Sequence, residues 1–190
     1  NDNTSHPGPM TRTVADSALM LSIMAGPDPL DNTSLESMPA NYPGKLNAGI
    51  AGLRIAYSPD LGRNRVDSQV ADTVARAAAR FTELGAHVED VTPDWPDTAE
   101  LIHFMWSAHE VGNYAPYLDE WRDRMDPGLV ACIEDAQRHS AADYVQRRAE
   151  KQAFNRRVAD FFVDYDLLLT PTTSITALPV GQLNPSDWPQ

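Results

Sequence analysis

The sequence predicts an α/β fold, helix-rich, in which helices pack on a small, partly parallel sheet. Three observations predict it: a strand, helix, strand succession between Leu53 and Val91, a long stretch of interrupted helical periodicity from Asp97 to about Asp164, and a short apolar run at 166–170 closed by Pro171. The 190 residues are 42% hydrophobic and 22% charged, enough for a sizeable core in one domain or two small ones. No apolar run approaches the roughly 18 residues that a bilayer span requires, which predicts no membrane association.

The elements follow in order. Thr13-Val14-Ala15-Asp16 is a capping pattern, and Val14, Ala18, Leu21 and Ala25 fall on one face of the helix it starts. Leu19, Met20, Ile23 and Met24 make the other faces apolar, which predicts a helix buried on most sides, stopped by Gly26-Pro27. From Asp28 to Gly52 only turn and loop chemistry is legible, and a loop of that length is either functional or laid over a surface. Leu53, Ile55 and Tyr57 then alternate with Arg54 and Ala56 as a strand. A helix follows with Asp67 as N-cap, the stripe Val70, Val74, Ala77, Phe81 and Leu84, and Gly85 as its stop. His87 to Val91 is a second strand, so the pair is expected to be parallel.

Asp97-Thr98-Ala99-Glu100 resembles a capping box ahead of Leu101, Met105 and Ala108. Asp126-Pro127 opens a helix through Val130 and Ile133, and Ser140-Ala141-Ala142-Asp143 opens another that carries Phe154, Val158, Phe161 and Tyr165. Arg147, Arg148, Lys151, Arg156 and Arg157 on that last helix read as a solvated face, because the segment 119–143 before it is rich in acids. Asp166 to Thr170 reads as a buried strand, and Pro179, Gly181, Pro185 and Pro189 punctuate an irregular tail. The expected organisation is one domain: helix plus long loop over 1–52, the strand, helix, strand unit over 53–92, a helical segment over 93–165, and strand plus tail over 166–190.

Composition narrows the function. With 15 Lys+Arg against 27 Asp+Glu the net charge is −12, an acidic surface that repels phosphate backbones and argues against direct nucleic-acid binding. One cysteine, Cys132, excludes an internal disulfide framework and a cysteine-based zinc site, and predicts a reducing, cytoplasmic compartment. The chain starts at Asn1 without a methionine and stops at Gln190 without a tag, which predicts a piece of something longer.

Covalent catalysis needs an activated nucleophile, a base and oxyanion donors, often in a glycine-rich turn. No two glycines here are adjacent, and no Gly-x-Ser-x-Gly exists. Cys132 sits beside Ile133 in an amphipathic helix and reads as a small buried hydrophobe; Lys45 and Lys151 lie in a loop and on a charged face, not in a desolvated pocket. His103 and His109 lack the spacing that lets two imidazoles share a metal, and Ser107, His109 and Glu110 diverge around a helix. Gly49-Ile50-Ala51-Gly52 precedes a strand instead of a helix and is no phosphate loop. No catalytic residue, metal ligand or cofactor site is expected from spacing.

The motifs nevertheless add up. The block Ser5-His6-Pro7-Gly8-Pro9-Met10-Thr11-Arg12-Thr13-Val14-Ala15-Asp16, then Ala25-Gly26-Pro27-Asp28, closely resembles the stretch just downstream of the nucleophile in the amidase signature family. Leu53-Arg54-Ile55-Ala56, Glu83-Leu84-Gly85-Ala86, Ser140-Ala141-Ala142-Asp143-Tyr144 and Asp166-Leu167-Leu168-Leu169-Thr170-Pro171-Thr172 fit the same family in the same order. The resemblance implies an amide-bond hydrolase, or the glutamine-using subunit of a tRNA-dependent amidotransferase, built as a partial amidase domain on a mixed sheet sandwiched by helices. It also implies a Ser, cis-Ser, Lys triad N-terminal to the Gly8-Pro9 block, outside these residues, so none of it maps here and the chain alone is expected to be inactive. A non-catalytic binding or oligomerising module is the alternative of another class. A small amide is the expected partner, and Thr170, Pro171, Thr172 and Thr173, a turn at a strand end, are the expected substrate-pocket lining. The strand at Leu167 to Leu169 is expected to leave a sheet edge able to self-associate.

Overall fold

A computed structural model of the chain describes residues 7–31, 33–182 and 185. Ser5 and His6 of the first family block, Asn32 of the long loop and Pro189 of the tail lie outside the described residues. The chain divides into two compact units, one holding the residues up to Ala48 with Pro96–Asn155, the other Gly49–Trp95 with the residues from Arg156 on. Among the described residues, no helix is long and apolar enough to cross a membrane.

The second unit is built on a three-stranded, all-parallel sheet. Its strands are β1 (Arg54–Tyr57), β2 (His87–Asp90) and β3 (Leu167–Leu169), in the order β2, β1, β3. Ile55 stands opposite Val88 on one side and Leu167 on the other. The alternation expected along β1 is not its burial pattern: Ile55, Ala56 and Tyr57 are all buried, because a central parallel strand is covered on both faces. Asp166 holds β3 in place. Its carboxylate accepts the Arg54 backbone N–H at 2.8 Å and faces the Arg54 guanidinium at 3.4 Å, while its own N–H donates to the Arg54 carbonyl.

The helix α3 (Ser68–Glu83) connects β1 to β2. Asp67 caps it, accepting the Gln69 N–H at 2.8 Å, as its sequence predicts. The stripe is shifted by one residue at its centre, where Ala78 is buried and Ala77 exposed. Gly85 ends the helix at φ +91°, and a Cβ there would meet that of Ala51 at 3.2 Å, so the turn requires glycine twice over.

The first unit is helical. It contains α1 (Val14–Met24), α2 (Tyr42–Lys45), α4 (Ala99–Tyr114), α5 (Leu118–Trp121), α6 (Pro127–Ala136) and the part of α7 (Ala141–Asp164) up to Asn155. The short α2 falls where only loop chemistry was expected. Asn41 accepts the Gly44 N–H and Pro43 occupies the first turn, a start signal that the surrounding prolines and glycines hide. Two apolar clusters hold the unit together. Leu101, Phe104 and Met105 gather Ala108 and Tyr144; Leu118, Val130 and Ile133 gather Val111, Ala115, Met125 and Leu129.

The predicted caps of α1, α6 and α7 form, whereas the box expected at 97–100 does not: Thr98 makes no side-chain cap bond, and Asp97 accepts the Ala99 N–H at 2.9 Å. Thr13 accepts the Asp16 N–H, and Asp126 accepts those of Gly128 and Leu129. Ser140 and Asp143 form a reciprocal box, in which the serine hydroxyl accepts the Asp143 N–H and the carboxylate accepts the Ser140 N–H at 2.7 Å. The Ser140 hydroxyl also donates to that carboxylate at 2.7 Å, and this bond first, with the backbone bond second, holds the Asp143 carboxyl below the usual carboxylate range.

Two expected burials are corrected. The α1 helix is not buried on most sides: Ala18 is 7% exposed, but Val14, Leu19, Met20, Ile23 and Met24 all face solvent. The strand β3 is not a buried strand either. It lies at the sheet's edge with Leu167 45% exposed, because nothing among the described residues pairs with its outer side. In both cases apolar composition determined the element while the number of neighbours determined its burial.

Candidate functional site

Parallel strands end on the same edge of a sheet, and in open α/β folds ligands collect at that carboxyl edge. Three segments leave β1, β2 and β3 there: 58–62, 91–92 and 170–173. Thr170 and Pro171 are half-buried, whereas Thr172 and Thr173 are exposed. The Thr173 hydroxyl donates to the Ile175 carbonyl at 3.0 Å, and the Ser174 carbonyl accepts the Asp67 N–H at 2.8 Å, which ties the turn to the start of α3.

Ser58 lies beside this turn. Its backbone N–H donates to the Leu169 carbonyl at 3.0 Å, extending the β1 and β3 ladder by one residue. Its hydroxyl is fully buried and has no partner among the described residues, an uncommon state for a polar group in a packed interior. Next, the Asp60 carboxylate accepts the Gly62 N–H at 2.7 Å, and the turn places Leu61 at φ +54° and Gly62 at φ +77°. A Cβ on Gly62 would stand 2.5 Å from the Thr92 methyl, so glycine is what lets the β1 and β2 loops touch. Burial pushes the Tyr57 phenol up, with the charges of Asp90 and Asp60 acting in the same direction.

The edge therefore carries hydroxyls, backbone groups and two carboxylates, which suits hydrogen bonding to a polar ligand. Among the described residues it pairs no nucleophile with a base. Sequence reasoning named the β3 turn at Thr170–Thr173 and missed Ser58, Asp60 and Thr92. The signal for them was present: the Ser-Pro-Asp-Leu-Gly turn follows a strand predicted to run parallel to its neighbour.

The candidates rejected on spacing are dispersed in the first unit. Cys132 on α6 is half-buried, and desolvation, then Glu110 and Asp135, push its thiol up and keep it protonated. The buried Ser107 hydroxyl donates to the Phe104 carbonyl of its own helix, and the His109 ring contacts the Asn113 amide at 3.0 Å, so the two do not form a relay. Among the described residues no group of three or more His, Cys, Asp or Glu side chains could hold a metal ion.

That unit does contain an open cleft of about 460 Å³ whose residues are too far apart in sequence to form a motif. Phe104 lines it, with the His139 ring 4.7 Å away and the Arg147 guanidinium 5.7 Å over its face, and His103 approaches Asp135 at 3.8 Å. Glu100 completes a wall of mixed charge.

The family model described as Amidase matches residues 2–190. The chain is 37% identical over 189 residues to an acylamidase of Rhodococcus erythropolis, a match that covers 97% of the chain and 39% of that protein. It is 32% identical to an amidase of Pseudomonas putida, over 97% of the chain and 40% of the relative. A glutamyl-tRNA(Gln) amidotransferase subunit of Desulforamulus reducens is 29% identical, over 93% and 41%. Among solved structures, a bacterial aryl acylamidase of the amidase signature family superposes with a TM-score of 0.79 at 26% identity, over 92% of this chain and 39% of that one. The corresponding glutamyl-tRNA(Gln) amidotransferase subunit of Thermotoga maritima superposes with a TM-score of 0.54 at 21% identity, over 94% and 39%, a likeness of fold alone. The chain spans about two fifths of the length of the curated relatives it matches. It belongs to the amidase family.

Proposed function

We propose that this member of the amidase family is part of an amidohydrolase that cleaves carboxamide C–N bonds through a serine acyl-enzyme, with the catalytic residues outside these 190 residues. The observation that carries the reading is the 37% identity with an acylamidase across 97% of the chain. In this reading the chain supplies scaffold and pocket wall. The turn Thr170, Pro171, Thr172 and Thr173 lines the substrate pocket, with hydroxyl and backbone groups that orient a small amide. The triad that the family resemblance implies does the chemistry: its serine attacks the amide carbonyl, the amine departs with a proton relayed from the lysine side, and water releases the acid. No cofactor is required for that sequence. A single thiol fits a reducing cytoplasm.

The glutamine-using subunit of a tRNA-dependent amidotransferase is the second reading, favoured by the 29% identity with one such protein and opposed by the closer match, in sequence and in superposition, to acylamidases. The test uses the complete product of the reading frame. Release of aniline from acetanilide, with one serine outside residues 1–190 labelled by a fluorophosphonate, supports the hydrolase. Glutamine-dependent amidation of misacylated tRNA without acetanilide turnover supports the amidotransferase. Labelling of a serine within the chain would overturn the placement of the nucleophile.

A further inference from the structure

Surface helices normally turn large apolar residues inward and small or polar residues outward. The α1 helix turns most of its large apolar residues outward. Its inward side is Ala18 with half-buried Leu21 and Ser22, the serine hydroxyl donating to the Ala18 carbonyl at 2.7 Å, while Leu19 (57% exposed), Met20, Ile23 (78%) and Met24 point to solvent. Asp16 is the one charged residue of the helix. The loop after it adds Leu30, Leu35 and Met38, also exposed. An apolar surface of this kind marks an interface.

We propose that the outward face of α1 is the seat of further polypeptide from the same gene product, the counterpart of the roughly 300 residues that the acylamidase relative carries beyond its match to this chain. The proposal rests on the reading above that catalytic parts lie outside these residues. Length supports the occupant: the relatives accompany this 190-residue stretch with more chain than the stretch itself contains. Charge supports it as well. Two copies of a chain of net charge −12 repel one another, whereas a face with a single carboxylate suits a contact that is never exposed.

Methionine oxidation reads the face directly, because sulfoxide formation follows exposure. Hydrogen peroxide is applied to the complete gene product and to the 190-residue chain, each native and in urea, and peptides are followed by mass spectrometry. Met105, buried between α4 neighbours, reports whether the helical unit is folded. The expected result is that Met20 and Met24 of the complete product oxidise about tenfold or more slowly native than in urea, and that in the shorter chain they oxidise at rates within about threefold of the urea rate while Met105 stays protected. Rapid oxidation of Met20 and Met24 in the complete product with Met105 protected overturns the proposal. So does protection in the shorter chain that grows with its concentration, since the occupant is then a second copy. Acetanilide turnover of the same preparation separates the two ideas: turnover with unprotected methionines sinks the docking alone, and protection without turnover sinks the hydrolase reading alone.

Discussion

The α1 and α6 helices begin alike and end in opposite environments. Each is about three turns long, apolar in composition, and capped by a side chain that accepts a first-turn N–H, Thr13 for α1 and Asp126 for α6. Yet α6 places Val130, Ile133 and Ala136 in the core, with Ile133 fully buried, whereas α1 buries Ala18 alone. Capping and propensity are local and decide that a helix forms; burial depends on which other elements arrive, and α6 has α4 and α5 beside it. Helicity and burial are therefore separate claims about a sequence, and an apolar helix with exposed large residues is evidence of a missing neighbour.

The largest expected difference between the two helices is in truncation. Ile133→Ala should cost about 2–5 kcal/mol in urea unfolding, through lost burial and the cavity left behind. Ile23→Ala in the same 190-residue chain should cost no more than about 0.5 kcal/mol, the usual size of an effect at an exposed site. Equal losses would break the contrast.

Cap removal is expected to affect them equally. Thr13→Ala and Asp126→Ala should each cost about 1 kcal/mol of helix stability, because each orphans a backbone N–H of a first turn. Amide hydrogen exchange along each helix measures this, and a loss confined to α6 would show that α1 is not held by its own cap.

Cysteine reactivity samples α6 alone. The raised thiol of Cys132 should be alkylated by iodoacetamide about threefold or more slowly at neutral pH than the same thiol in urea, since the thiolate is the reactive form. A native rate equal to the urea rate would contradict the half-buried setting of that residue.

The smallest effect concerns acid. The Asp143 carboxyl is held low by Ser140 and that of Asp166 by Arg54, backbone bond first and side chain second. A carboxyl whose folded value is depressed contributes stability above its unfolded value, and that contribution is lost as pH falls through the folded value. The loss therefore belongs below the usual carboxylate range near pH 4. Asp166→Asn should flatten the decline in melting temperature on acidification, and an unchanged slope would remove the Arg54 contact from the balance.

The sequence by itself determined where α1, α3, α6 and α7 begin, because Thr13, Asp67, Asp126 and the Ser140–Asp143 pair act on backbone groups within three residues. It also determined the strand, helix, strand unit and the family, whose blocks are contiguous runs of residues. Half of the candidate edge was legible in the same way, since Thr170–Thr173 follows an apolar run and a proline. Only the tertiary structure decided the rest. Ser58, Asp60 and Thr92 come to the same sheet edge as the β3 turn through the parallel register, which joins β1 to β3 across more than a hundred residues. Burial of β1 on both faces, the edge position of β3 and the exposure of α1 were decided there too, because they depend on which surfaces find a neighbour, and residue spacing along one chain does not encode that count.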